Sequence, residues 1–208
     1  FVNSGASANF LSLKILKDIK KNRSEVILPA FTWSSDVNAV INSGFKPVFV
    51  DINLTNLALD EELVKKNISK KTAAIFLTHA MGFLGISKSL LDYIKKKNIL
   101  LIEDVCESHG IHLKGKKGGA LGEISNFSFY YAHHITTIEG GMISTNSKQI
   151  DILAKMKRGH GLLRDSQDSK LIKKTKSMYK DLNSDFIFLT EGFNFRSNEL
   201  SAVIGLEQ

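Results

Sequence analysis

Short runs of Val, Ile, Leu and Phe alternate along the chain with longer stretches whose apolar residues recur every three or four positions. The runs at 25–28, 47–51, 73–78, 100–104, 126–130 and 141–144 read as strands. Between them, residues 8–21 carry Ala8, Leu11, Ile15, Leu16 and Ile19 at helical spacing, and 35–42 and 87–97 look similar. The alternation predicts an α/β fold with a mostly parallel sheet sandwiched by helices. No repeat or low-complexity linker interrupts it, so residues 1–150 read as the core of one domain. Residues 151–208 begin helical and lysine-rich and read as a helical continuation of that domain.

The 208 residues, 43% of them apolar, suffice for one sizeable core. No apolar run is long enough to span a bilayer. The net charge of +7 is spread over several lysine runs, which reads as solvated faces and predicts no nucleic-acid partner. A basic rim also suits a small anionic substrate. Cys106 is the only cysteine, so the sequence holds no internal disulfide and no zinc or iron–sulfur spacing. No metal site and a reducing, cytoplasmic compartment are the expectation. The chain starts without Met and stops inside an apolar helical pattern, as a piece of a longer protein would.

In open α/β sheets ligands sit at the carboxyl ends of strands, and the informative residues fall there. Asn3-Ser4-Gly5-Ala6-Ser7 opens a helix, where backbone N–H groups can converge on an anion; an ordinary cap by Ser4 or Ser7 would read the same way. The apolar run Leu100-Leu101-Ile102 delivers Glu103 and Asp104, and a buried aspartate needs a cationic or hydrogen-bonding partner; a cap for the following turn would read the same way. His133 and His134 are adjacent and precede Gly140-Gly141; neighbouring side chains point in different directions, so at least one histidine should be exposed or functional. Trp33 follows a strand end, where it either stacks on a flat ring or packs into the core.

Taken in order, NSGASANFL, ILPAFTWSSDVNAVINSGFKPVFVDIN, LTHAMGFLGIS, LLIEDVCESHG, GALGEISNFSFYYAHHITTIEGGMIST, RGHGLLRD and GFNFRSNELSAVIGLEQ resemble the DegT/StrS family of sugar aminotransferases. The family is fold type I of the pyridoxal phosphate enzymes, so the resemblance implies the large domain of an aspartate-aminotransferase-like fold, with a smaller C-terminal domain to follow. It implies that Gly5 and Ala6, with Ser7 nearby, cradle the cofactor phosphate and that Ser128 is a further phosphate ligand. Trp33 would stack on the ring, Asp104 would face its nitrogen, and Glu107 would lie near its hydroxyl. Asn194 would reach the cofactor of a neighbouring subunit, which implies a homodimer.

One position departs from the aminotransferase pattern. Counted from Ser128, the lysine that bonds to the cofactor falls on His133. Imidazole forms no stable link to the cofactor aldehyde, but it shuttles protons near neutral pH. This resembles the nucleotide-sugar 3-dehydratase branch, of the GDP-4-keto-6-deoxymannose type. The resemblance implies pyridoxal or pyridoxamine phosphate held non-covalently, His133 as base, and loss of the C3 hydroxyl from a nucleotide-linked 4-keto-6-deoxy sugar. With one cysteine, an iron–sulfur variant is not expected, and an amino acid such as glutamate would regenerate the pyridoxamine form. His79, His134 and His160 are candidates for substrate contact. Ordinary aminotransferase activity would need another amine, and Lys155 and Lys157 lie in the helical tail. A catalytically silent family member is the third reading.

Overall fold

The structure, a computed structural model, describes residues 1–208. Six strands form one sheet in the order β2-β1-β3-β4-β7-β8: β1 (Glu25–Pro29), β2 (Lys46–Val50), β3 (Thr72–Thr78), β4 (Leu100–Asp104), β7 (Ile124–Ser128) and β8 (Gly141–Ser144). All neighbours are parallel except β8, which runs antiparallel to β7. A two-residue-per-strand hairpin, β5 (His112–Leu113) with β6 (Lys116–Lys117), projects separately. The expected α/β class and mostly parallel sheet are thus present.

Helices cover both faces. α1 (Gly5–Ile19), α2 (Ser34–Asn42) and α5 (Lys148–Arg158) lie on one side, where Leu11, Ile15 and Leu16 of α1 pack with Val26, Leu28 and Phe76. α3 (Glu61–Asn67) and α4 (Lys88–Lys96) cover the other, where Val64, Leu90 and Ile94 meet Ile27, Ile75, Leu77 and Leu101. Central β3 is therefore buried along its whole length, which is why it reads as a continuous apolar run rather than an alternating one.

Three differences from the sequence-based elements matter. α1 starts at Gly5, three residues before its apolar stripe, because the Ser4 hydroxyl caps the Ser7 amide. β7 spans 124–128 instead of 126–130: beyond Ser128 the chain turns, and the Phe129 carbonyl accepts from Thr137 while the His133 amide donates to the Tyr130 carbonyl. α3 was not expected, since only Val64 of its seven residues is buried. Its signal lies in the charges, with Asp60 as cap, Glu61 and Glu62 in the first turn and Lys65 and Lys66 in the last.

The tail is less helical than expected. After α5 the chain makes isolated bridges, Gly159 with Asn194 and Leu162 with Phe188, around α6 (Ser169–Met178), then ends in α7 (Glu199–Leu206). α7 buries none of its residues, and Leu200, Val203 and Leu206 stand exposed. No helix is long and apolar enough to cross a membrane.

Candidate active site

The carboxyl ends of β3, β4 and β7 and the first turn of α1 surround a cavity of about 580 Å³. Ser4, Gly5 and Ala6 form one wall, with Ser128 from the end of β7 beside them. The approach is close: a methyl group on Gly5 would lie 2.6 Å from Ser128 Cβ and 3.1 Å from Cys106 Sγ. Only glycine lets the helix start sit against β7. The backbone N–H groups of a helix's first turn have no partner within the helix, so this wall suits an anion. Ser7 does not line the cavity; its amide and hydroxyl are engaged with Ser4.

Behind this wall lies a polar cluster with little access to solvent. Asn9 is on the inward stripe of α1, and its Nδ2 donates to Asp104 Oδ2 at 2.7 Å and Asp36 Oδ1 at 2.8 Å. Asp104 Oδ1 accepts from the Cys106 amide at 2.9 Å. Asp36 Oδ2 lies 2.6 Å from both the Thr32 and Thr78 hydroxyls. Burial, and then the nearby Asp104 carboxylate, push the Asp36 acid well above the usual carboxylate range. Burial likewise pushes the Cys106 thiol up, with Asp104 adding to it.

Asp104 itself lines the cavity, at the end of a strand and on the same face as α1. Trp33 lines it too and is 66% exposed, so it is not a core residue. Glu107 reaches the cavity while accepting from the Met81 amide at 3.1 Å. Across from them stand Tyr130 and His133, whose rings meet edge to face at 5.9 Å. No lysine lines this cavity. Lys157 is buried elsewhere, against Asp18 at 2.9 Å and Thr190 at 3.0 Å, and Lys155 pairs with Asp151.

The three other candidate histidines and Asn194 lie off the cavity. His79 is wholly buried: its Nδ1 accepts from the Gly85 amide at 3.0 Å, so its proton sits on Nε2, 3.0 Å from Glu103 Oε2. That is a correction, because a ring with both nitrogens occupied in the core cannot line a sugar pocket. His134 points away from the cavity and stacks on His109 at 5.2 Å. His160 is exposed on the tail, at a positive φ of 65°. Asn194 is exposed beside Gly159 and Arg196.

Sequence reasoning missed Asn9, Thr78 and Asp36 as parts of the site. The available signal was an amide and a carboxylate at positions whose neighbours are core residues, since buried polar groups need partners. The cavity as built accepts a flat ring carrying a phosphate: a helix start that only glycine permits, an exposed indole, and a carboxylate fixed by two hydrogen bonds.

The model of the DegT/DnrJ/EryC1/StrS aminotransferase family matches residues 1–208. Among curated relatives, a GDP-4-keto-6-deoxy-D-mannose 3-dehydratase of Yersinia pseudotuberculosis is 34% identical over 100% of this chain and 53% of its own length. A GDP-perosamine synthase of Caulobacter vibrioides is 34% identical over 88% of this chain and 45% of its own. The solved structure of the Escherichia coli GDP-4-keto-6-deoxy-D-mannose 3-dehydratase with bound hydrated PLP superposes with a TM-score of 0.88 at 31% identity, covering 99% of this chain and 54% of that one. The chain thus spans about half the length of the curated relatives it matches.

Proposed function

We infer from its place in the DegT/DnrJ/EryC1/StrS aminotransferase family, to which this chain belongs, that it is the cofactor-binding core of a nucleotide-sugar 3-dehydratase. The cofactor is pyridoxal or pyridoxamine phosphate, held non-covalently, and the substrate class is a nucleotide-linked 4-keto-6-deoxy sugar. One observation carries the reading: His133 lines a cavity that has no lysine.

Gly5, Ala6, Ser128, Trp33 and Glu107 all line the cavity, which supports these roles: the amides of Gly5 and Ala6 and the Ser128 hydroxyl would hold the phosphate, Trp33 would cover one face of the ring, and Glu107 would serve its hydroxyl. The Asp104 carboxylate would face the ring nitrogen and favour its protonated form. When bound, that ring supplies an electron sink. His133 takes and returns a proton next to it, a task suited to imidazole near neutral pH. Residues 1–150 carry these groups, and 151–208 continue the same domain.

A GDP-perosamine synthase among the relatives keeps sugar aminotransferase activity as the second reading. The lack of a lysine in the cavity weighs against it. Asp104, Trp33 and Ser128 together weigh against a silent homologue. Glutamate as amino donor and a homodimer, with Asn194 serving the partner subunit, complete the proposal; that Asn194 is exposed and outside its own chain's cavity supports this reading.

The test is reduction of the full-length protein with borohydride in the presence of pyridoxal phosphate, followed by mass analysis. A cofactor that dialyses away, leaves no adduct and is converted by glutamate to the pyridoxamine form is the expected result. An adduct on lysine moves the protein to the aminotransferases, and failure to bind the cofactor leaves the silent homologue.

A further inference from the structure

Asp36 belongs to no role assigned above, yet it is wholly buried one hydrogen-bonded residue away from Asp104. Its surroundings allow a proton count. Asp36 Oδ2, Thr32 Oγ1 and Thr78 Oγ1 form a triangle whose three sides are each 2.6 Å. Each side is short enough only for a hydrogen bond between oxygens, since two oxygens without a proton between them repel at that separation. The two threonines bring one hydroxyl proton each. Three contacts need three protons, and the third must be on Asp36.

The other oxygen of Asp36 completes the count. Oδ1 accepts from Asn9 Nδ2 at 2.8 Å and from the Ser35 hydroxyl at 3.2 Å, and the Asp104 carboxyl lies within hydrogen-bonding reach of the Asp36 side chain. The remaining Asn9 Nδ2 proton goes to Asp104 Oδ2. Asn9, Ser35, Thr32 and Thr78 are neutral, and the ionisable groups facing Asp36 are Asp104 and Cys106, neither of which offers a positive charge. Two carboxylates joined through one amide in a dry site would repel, and keeping one neutral removes that cost.

We propose that Asp36 is a protonated, neutral acid and a positioning residue: through the Asn9 amide it fixes Asp104 at the ring end of the cavity. The threonine ring orients the Asp36 carboxyl, the carboxyl orients the amide, and the amide aims its second N–H at Asp104. The consequence for the cofactor rests on the reading of Asp104 given under the proposed function. The protonation state does not.

The experiment separates the two. Infrared spectra of the full-length protein with 13C-labelled aspartate are recorded at pH 7, wild type and Asp36→Asn. The expected result is a carboxylic-acid carbonyl band in the wild type that shifts in D2O and is lost in D36N. The labelled wild type answers alone if the variant does not fold: only carboxylate bands at pH 7 would overturn the proposal. The second readout is the pH titration of the bound cofactor's absorbance. Asn replaces a neutral acid with a neutral amide, so D36N keeps the wild-type midpoint, whereas Asp36→Ala frees Asn9 and displaces it. Were Asp36 an anion, D36N would remove a negative charge near the ring nitrogen and lower the midpoint by about one unit or more, which also overturns the proposal. Absence of any cofactor spectrum would count against the proposed function and leave the infrared result standing.

Discussion

His79 Nε2 lies 3.0 Å from Glu103 Oε2, with both side chains sealed from solvent. Glu103 also accepts from the amides of Gly119, Leu121 and Gly122. Adjacent residues of a strand point to opposite faces, so β4 sends Asp104 to the cavity and Glu103 to the far side, where it gathers the loop ahead of β7. Burial alone would raise the Glu103 acid, but the His79 ring and the Gly119 and Gly122 amides hold it below the usual range.

Removing that carboxylate by Glu103→Ala should therefore destabilise the protein by about 3–5 kcal/mol, as breaking a buried network does. Because its folded pKa is depressed, the contribution is present at neutral pH and disappears as pH falls through the folded value. Urea midpoints at pH 7 and at acid pH check both parts. An equal loss at the two pH values would contradict the carboxylate's role.

Replacing His133 by Asn should lower turnover by about 100- to 10,000-fold, the usual range for a lost general base. The residue lines the cavity without holding the phosphate wall or the Asp104 cluster, so cofactor affinity should change little. Turnover and cofactor titration of the same preparation give the answer. Undiminished turnover would remove His133 from the chemistry.

Gly5→Ala tests the helix start. The added methyl would lie 2.6 Å from Ser128 Cβ and must push α1 and β7 apart, at a cost of about 1–3 kcal/mol. Thermal denaturation should show the loss, and cofactor affinity should fall with it. The neighbouring Ala6→Gly adds no atoms and is the control.

His109 supplies a pH dependence. It is half-buried between the Phe127 and Phe129 rings and stacked on His134, and its Nε2 has no partner. Burial, then the His134 and His133 rings, lower its pKa from 6.5. The unfolded chain therefore takes up the proton more readily, so stability is full above about pH 6.5 and declines as pH falls towards the folded value. The melting temperature of His109→Phe should decline less over that window than that of the wild type. Parallel curves would rule the effect out.

The fold was legible where physics is local. A buried parallel strand is a run of apolar residues, and β1, β3 and β4 announce themselves that way; β7, written Ile-Ser-Asn-Phe-Ser, does not, and its bounds differ from those expected. Asp104 was legible because a carboxylate closing such a run has to be explained. Asn9 and Asp36 were not, since their meaning lies in each other and in Asp104, 27 and 95 residues from Asn9. His79 misled for a related reason. A histidine at a strand end resembles a ligand until its partner, the residue before Asp104, is seen on the opposite face.

The N-terminal segment is tied to β8 by a reciprocal pair of hydrogen bonds, Val2 with Gly141, each 2.9 Å. The helix start that forms the anion wall thus leans on a strand made about 140 residues later, a closure slow to reach in folding. During synthesis, residues 2–6 wait for nearly all of the sheet before their pocket exists. A truncation before β8 would yield most of the core and no cradle.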